Sequence, residues 1–243
     1  MIPRFYCPAL KAAAGSVVTL PDQAAHHATR VLRLRVGDAV TIFDGNGEEQ
    51  SGLIESVGRD VMVKISAPAA GIAEPDLHIT LVQSLPSGDK MDWVVQKAVE
   101  LGVTAIQPVM ARRSVVRLEG DRARKRVLHW QEVAISACEQ SGRNTVPPIL
   151  PLVDLNQYLA REHRDNERRF LLSPEGGQRL REMDKPYGSF ALLIGPEGGF
   201  DEGEADVARS VGFTPLHLGP RVLRTETAGL AALAAMMALW GDL

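Results

Sequence analysis

Residues 189–200 constrain this chain more than any other stretch. They read Ser189-Phe190-Ala191-Leu192-Leu193-Ile194-Gly195-Pro196-Glu197-Gly198-Gly199-Phe200, an apolar run of strand length that stops abruptly in glycines. Asp201 then opens a helical pattern, with Glu204 three residues on as its partner in a capping box. A strand that runs through glycines into a helix is the arrangement by which open α/β sheets hold ligands at their carboxyl ends. A tight turn with no ligand fits the same residues. No Gly-x-Gly-x-x-Gly follows a strand, and no Gly-Lys-Ser/Thr provides a phosphate cradle. The loop instead carries a carboxylate, Glu197, where a phosphate site needs bare amides or a cation. A ligand that is neutral or cationic at that point suits it better.

The flanking pattern predicts an α/β fold. From Asp76 onward strands alternate with helices: strands over 77–81, 105–109, 169–173 and 215–218, and helices over 91–101, 122–140 and 225–240. Met91, Val94, Val95, Ala98 and Leu101 share one face of the first of these helices. Residues 149–153 lead through Asp154 into a helix expected to reach about His163. Such alternation means a mostly parallel sheet covered by helices. Residues 1–70 read differently, as a small β barrel or sandwich. Val40-Thr41-Ile42-Phe43 runs into the turn signal Asp44-Gly45-Asn46-Gly47, strands follow over 52–57 and 61–65, and one helix is expected over 26–34. Pro68 to Pro75, with two prolines and a glycine, marks the boundary, giving domains 1–70 and 76–243.

A second loop repeats the logic of the first. In Leu218-Gly219-Pro220-Arg221-Val222-Leu223-Arg224-Thr225-Glu226-Thr227-Ala228 a strand again ends at glycine before a helix. The two loops together suit one ligand clasped between backbone groups, although plain helix capping by Thr225 explains part of the pattern. Basic residues gather at Arg112, Arg113, Arg117, Arg122, Arg124, Lys125 and Arg126 in a chain whose formal net charge is −3. That is a phosphate-backbone footprint, with Arg112 and Arg113 its better members and a solvated helix face an equally good account of Arg122 to Arg126. Arg143 follows a helix that stops at Gly142.

Other chemistries find little support. Two cysteines, Cys7 and Cys138, are too few for a disulfide scaffold or a cysteine metal site, and they suit a reduced cytoplasm. His26-His27 lacks metal-site spacing, and no metal is expected. Cys138 lies mid-helix among small residues, which favours packing over nucleophilic attack. The N-terminus lacks the apolar core of a signal peptide, and the apolar residues 228–240 are too short to span a bilayer, so no membrane association is expected. They read as a buried helix.

Residues 194–200 resemble the cofactor loop of the SPOUT methyltransferases, and residues 218–228 that of one branch, the RsmE family. The likeness extends to Lys97-Ala98-Val99-Glu100-Leu101-Gly102-Val103, Arg113-Ser114, Glu139-Gln140-Ser141-Gly142-Arg143, Pro3-Arg4-Phe5 and residues 27–33. The first loop identifies only the wider clan; the second is far more specific. Ribose-methylating relatives carry asparagine and serine where Glu226 and Thr227 stand here, which favours base methylation.

The resemblance implies a PUA-like β-barrel RNA-binding domain followed by a SPOUT-type, mostly parallel sheet with a C-terminal trefoil knot, paired as a homodimer. The cofactor would be S-adenosylmethionine and the substrate N3 of a uridine in 16S rRNA of the small ribosomal subunit, in its decoding region. Leu172, Ser173, Ile194, Gly195, Glu197, Gly198, Gly199, Leu218, Gly219, Leu223, Arg224, Thr225, Thr227 and Ala228 would line the cofactor site. Glu226 would act as base or orienting group, with Arg224 or Arg113 stabilising charge. Arg4, Arg30, Arg33, Lys97, Arg112, Arg113, Arg117, Gln140 and Arg143 would hold the RNA. Another RNA or ribose target, or a non-catalytic RNA-binding protein, are the alternatives.

Overall fold

A computed structural model describes residues 2–8, 10, 13–69, 71, 73–162, 166–185 and 187–243. The chain forms two compact units, one of residues 1–74 with 135–146, the other of 75–134 with 147–243. The break between them in the N-terminal part falls inside the proline-marked stretch. Segment 135–146, expected in the C-terminal domain, belongs instead to the first unit.

The first unit is built on a curled, mixed sheet, a half-barrel rather than a closed barrel. Its strands are β1 (Arg4–Tyr6), β2 (Val17–Thr19), β3 (Ala39–Phe43), β4 (Glu49–Val57) and β5 (Val61–Pro68), in the order β1-β3-β4-β5-β2. Among these strands only β1 and β3 pair parallel; the other neighbours are antiparallel. Val61, Val63 and Ile65 point inward while Met62 and Lys64 point out, so β5 has one wet face. The expected helix over 26–34 starts earlier and stops sooner. It runs as α1 (Asp22–His26) and one π-helical segment (His27–Val31), and Arg33 then turns left-handed at φ +56°.

In the second unit the pairings between its described strands are all parallel. These strands are β6 (His78–Ser84), β7 (Ala105–Met110), β8 (Val153–Asp154), β9 (Glu167–Leu172), β10 (Gln178–Arg179), β11 (Ser189–Ile194) and β12 (Thr214–His217), ordered β10-β12-β9-β11-β6-β7-β8. The helices are α2 (Lys90–Glu100), α3 (Gly120–Ser141), α4 (Leu155–Leu159), α5 (Glu202–Ser210) and α6 (Thr225–Trp240). The last turns of α3 count with the first unit.

The apolar run that opened the sequence argument is β11, the middle strand. Phe190 through Ile194 are all buried. Phe190 stacks between Phe170 and Trp240 on one face, while Ala191 and Leu193 join Tyr158 and Phe213 in the core of the other. A strand covered on both faces needs a continuous apolar run rather than alternation. Helix α6 lies against β6 and β11 at Gly229, where a Cβ would come within 3.0 Å of Leu81 and 3.2 Å of Ile194. It is buried along one broad face and leaves Leu239 half exposed, so it is not apolar against protein all round.

Three expectations need correcting. Residues 149–153 give only Val153 to β8, with an isolated bridge from Ile149 to Ile106 before it and Pro151 between them lacking a ladder donor. Helix α4 ends at Leu159, and His163 lies outside the described residues. On α2 it is Val99 that is buried, and Leu101 is only half-buried. Among the described residues no helix is long and apolar enough to cross a membrane.

Candidate active site

Strands β12, β9, β11 and β6 lie side by side and point the same way, so the loops leaving their carboxyl ends emerge together. Those loops are 218–224, 173–177, 195–201 and 85–89. Three of them carry the residues predicted to line a ligand site. The two glycine loops leave β11 and β12, and β9 stands between those strands, so Leu172 and Ser173 form the middle of the site.

Each loop is held by its own local chemistry. After β11, Gly199 N–H donates to Pro196 O at 2.8 Å, closing a turn in which Gly199 takes φ +68°. The ring of Phe200 folds back to cover Gly195, where a Cβ would meet it at 3.1 Å. Helix α5 begins with the expected capping box: Asp201 accepts from Glu204 N–H at 2.8 Å, and Glu204 accepts from Asp201 N–H at 3.1 Å. After β12, Gly219 sits at φ +123°, a conformation that side chains rarely adopt. Space is open beside both Gly199 and Gly219: a Cβ at either position would meet no neighbouring atom within 4 Å.

Thr225 does not cap α6. Its buried hydroxyl donates to Gly195 O at 2.5 Å and accepts from Gln83 Nε2 at 3.1 Å, latching the start of the helix to the first loop. That side chain is therefore committed inside the protein, whereas its neighbours Leu223 and Ala228 are half-buried and Arg224 and Thr227 exposed. Ser173 is likewise folded into its own turn, donating to Glu175 O at 2.7 Å. Leu172, Leu218 and Gly219 are half-buried, and Ile194 closes the floor.

The loop after β7 braces the first glycine loop from the side. Arg113 Nη1 donates to Gly198 O at 3.0 Å and to Phe200 O at 3.3 Å. Arg112 N–H donates to Glu204 at 2.7 Å, and its guanidinium reaches Asp201 at 2.9 Å. Arg117 donates to Arg112 O at 2.6 Å. The Glu204 N–H, and then the Arg112 guanidinium, hold the Asp201 carboxyl below its usual value, and Asp201 in turn raises Arg112.

Two carboxylates face this site, and one lysine serves both. Lys90 Nζ lies 3.1 Å from Glu226 Oε1 and 3.7 Å from Glu197 Oε1. Burial pushes the Glu197 carboxyl up, but the Ser87 N–H at 2.8 Å, the Ser87 hydroxyl and the Lys90 charge outweigh it, and the net shift is downward. Glu226 Oε2 is buried without a hydrogen-bond partner among the described residues. Sequence reasoning passes over Ser87 and Lys90, although a signal exists: Leu85-Pro86-Ser87-Gly88-Asp89-Lys90 is a third strand-to-glycine-to-helix passage, with Gly88 at φ +65°.

The expected RNA contacts divide. Arg4 and Arg143 are withdrawn from that set by the first unit's interior. Arg4 pairs with Glu49 at 2.6 Å and lies over the Phe43 ring, and Arg143 pairs with Glu74 at 2.5 Å. Lys97 is paired with Glu100 at 2.7 Å. Arg30, Arg33, Gln140, Arg112, Arg113 and Arg117 are exposed. Cys138 is buried, and that burial pushes its thiol up to about 12, which removes it as a nucleophile.

Comparison with known proteins gives a consistent picture. A family described as "RNA methyltransferase domain" matches residues 73–237, and one described as "RNA methyltransferase PUA domain" matches 20–60. Ribosomal RNA small subunit methyltransferase E of Buchnera aphidicola (subsp. Schizaphis graminum) is 33% identical, over 93% of this chain and 92% of its own. The structure of ribosomal RNA small subunit methyltransferase E from Neisseria gonorrhoeae, bound to S-adenosylmethionine, superimposes with a TM-score of 0.93 at 43% identity, covering 100% of both chains. A methyltransferase structure from Legionella pneumophila with bound S-adenosylmethionine gives 0.94 at 36% identity, again over 100% of both.

Proposed function

Because the chain belongs to the RNA methyltransferase family that holds the ribosomal RNA small subunit methyltransferases E, we propose that it methylates N3 of a uridine in 16S rRNA, using S-adenosylmethionine, as a homodimer with a knotted C-terminal fold. The observation that carries this reading is the convergence of four loops at parallel strand ends. Open space lies over Gly199 and Gly219, and the loops carry carboxylates where a phosphate site would need cations. The donor set fits S-adenosylmethionine, which has an adenosine and a positive sulfonium but no phosphate. Backbone groups of residues 194–199 and 218–223, with Leu172 and Leu223 as apolar walls, would hold it.

When bound, the cofactor supplies a methyl group whose bond to sulfur breaks with both electrons left on sulfur. The protein's own task is to prepare the acceptor. Uridine N3 carries a proton between two carbonyls, so it attacks only as that proton leaves. Glu226 accepts the proton through a carboxylate oxygen, and Arg113 or Arg224 faces the negative charge spreading onto O2 and O4. Positioned base catalysis gives about 10²–10⁴-fold, and alignment of donor and acceptor roughly 7–11 kcal/mol. Alignment is the larger part, which agrees with how much of this site is devoted to fixing loops.

The test is methyl transfer from labelled S-adenosylmethionine to small ribosomal subunits that lack the modification, with nucleosides identified by mass spectrometry. The expected product is 3-methyluridine. A 2′-O-methyl product, or cofactor binding without transfer to these subunits, overturns the substrate assignment, and absence of cofactor binding overturns the enzyme reading.

A further inference from the structure

We infer that Lys90 is a positioning residue of this site: its ammonium grips Oε1 of Glu226 and so fixes where that carboxylate stands relative to the acceptor. The inference rests on the reading of Glu226 as proton acceptor given above. Lys90 is the first residue of α2, Glu226 lies in the first turn of α6, and Glu197 belongs to the loop after β11. Three separate elements therefore meet at one ammonium. The two contacts differ. Glu226 is the nearer, at 3.1 Å, and its side chain is 13% exposed; Glu197, at 3.7 Å, is 31% exposed and also held by Ser87 N–H.

The other oxygen, Oε2, is shielded and has no hydrogen-bond partner among the described residues, so the Lys90 contact is what holds the carboxylate. Lys90 also stands between two negative groups. Without it Glu226 and Glu197 repel, and nothing else among the described residues is seen to hold Oε1. A displacement of about 1 Å at a reacting group can cost about 10²-fold in rate. Glu197 keeps its hydrogen bond from Ser87 N–H when Lys90 is replaced, so the cofactor loop has a support apart from the ammonium, and cofactor binding and placement of the base can be measured separately.

The test compares Lys90→Met, Lys90→Arg, Glu226→Gln and the Lys90→Met/Glu226→Gln double variant. Lys90→Met is expected to lower kcat about 10²-fold, while the Kd for S-adenosylmethionine, measured by calorimetry, and the melting temperature stay close to wild type. Lys90→Arg should recover at least a tenth of wild-type kcat. In the double variant the Lys90 change should add less than about twofold to the Glu226→Gln loss, because both act through one group. Wild-type kcat in Lys90→Met, or a loss that Lys90→Arg does not recover, overturns the inference. So does a loss that multiplies with that of Glu226→Gln, or one that appears in Kd rather than kcat. If Glu226→Gln itself turns over normally, the proton-acceptor reading fails first, and that outcome is distinct from a Lys90→Met variant that is normal beside a dead Glu226→Gln.

Discussion

Arginines in the two units meet opposite fates. In the first unit Arg4 and Arg143 are turned inward, each against a glutamate, and Arg143 is 7% exposed. In the second unit Arg112, Arg113 and Arg117 stay at the surface and spend their donors on loop carbonyls and on Asp201. A buried guanidinium is part of the scaffold, since losing one partner strands the other charge. An exposed one that braces a loop can be removed with little effect on folding and a large effect on what the loop does. Residue type is identical in the two cases; carboxylate placement decides between them.

The sharpest way to break this contrast is to substitute both kinds. Arg143→Met should cost about 3 kcal/mol of stability, the low end for a broken buried pair because Glu74 is partly open. Urea unfolding reads this directly, and cofactor affinity should hold in the folded fraction. Arg113→Ala should lower turnover about 10- to 100-fold, matching a charge-assisted hydrogen bond worth about 1.5–3 kcal/mol, with stability changed by less than about 1 kcal/mol. Equal stability losses in the two variants would erase the distinction.

A smaller effect is expected at Asp201. Its carboxyl is held low in the folded protein by Glu204 N–H and then by Arg112. A depressed carboxylate adds stability that is fully present above its unfolded value, about 3.9, and is lost as pH falls through the lowered folded value. Melting temperature followed from about pH 6 down to about pH 2 should therefore fall more steeply in wild type than in Asp201→Asn. The smallest effect belongs to Cys138. With its thiol pushed up to about 12, it should resist thiol reagents in mild alkali until the protein unfolds, and Cys138→Ala should keep near-normal turnover.

How much of this can be read from residues alone depends on whether the signal is local. The capping box at Asp201 and Glu204, the doubly buried β11 and the glycine turns are all encoded within a few positions, and they fold as the local pattern predicts. The two-residue β8 is local too, but there the pairing with β7 is interrupted at Pro151, which has no ladder donor. Strand order is not local: nothing in the sequence says that β9 lies between β11 and β12, and so nothing says that Leu172 and Ser173 stand between the two glycine loops. Ion pairs are the least legible. Arg4 finds Glu49, Arg143 finds Glu74 and Lys90 finds Glu226 across 45, 69 and 136 positions, and a basic residue in sequence shows only its charge, not its partner. Lys90 stays hidden for that reason, and Arg143 reads as an outward-facing residue for the same one.

The first unit is discontinuous in sequence, and this sets an order on synthesis. When the first 74 residues have left the ribosome the half-barrel still lacks Asn144, which accepts from Arg4, and Arg143, which pairs with Glu74. Those groups arrive only after β6, α2, β7 and all of α3 have emerged. The nascent N-terminal sheet must wait, with Arg4 unmatched at Asn144 and Glu74 without Arg143, while the beginning of the second unit is being made. A fragment ending at the proline-marked boundary inherits the same defect permanently. For this chain no single cut separates the units: one at the apparent domain border delivers a half-barrel missing part of its interior, and one beyond residue 146 parts 75–134 from 147–243 and so divides the second unit.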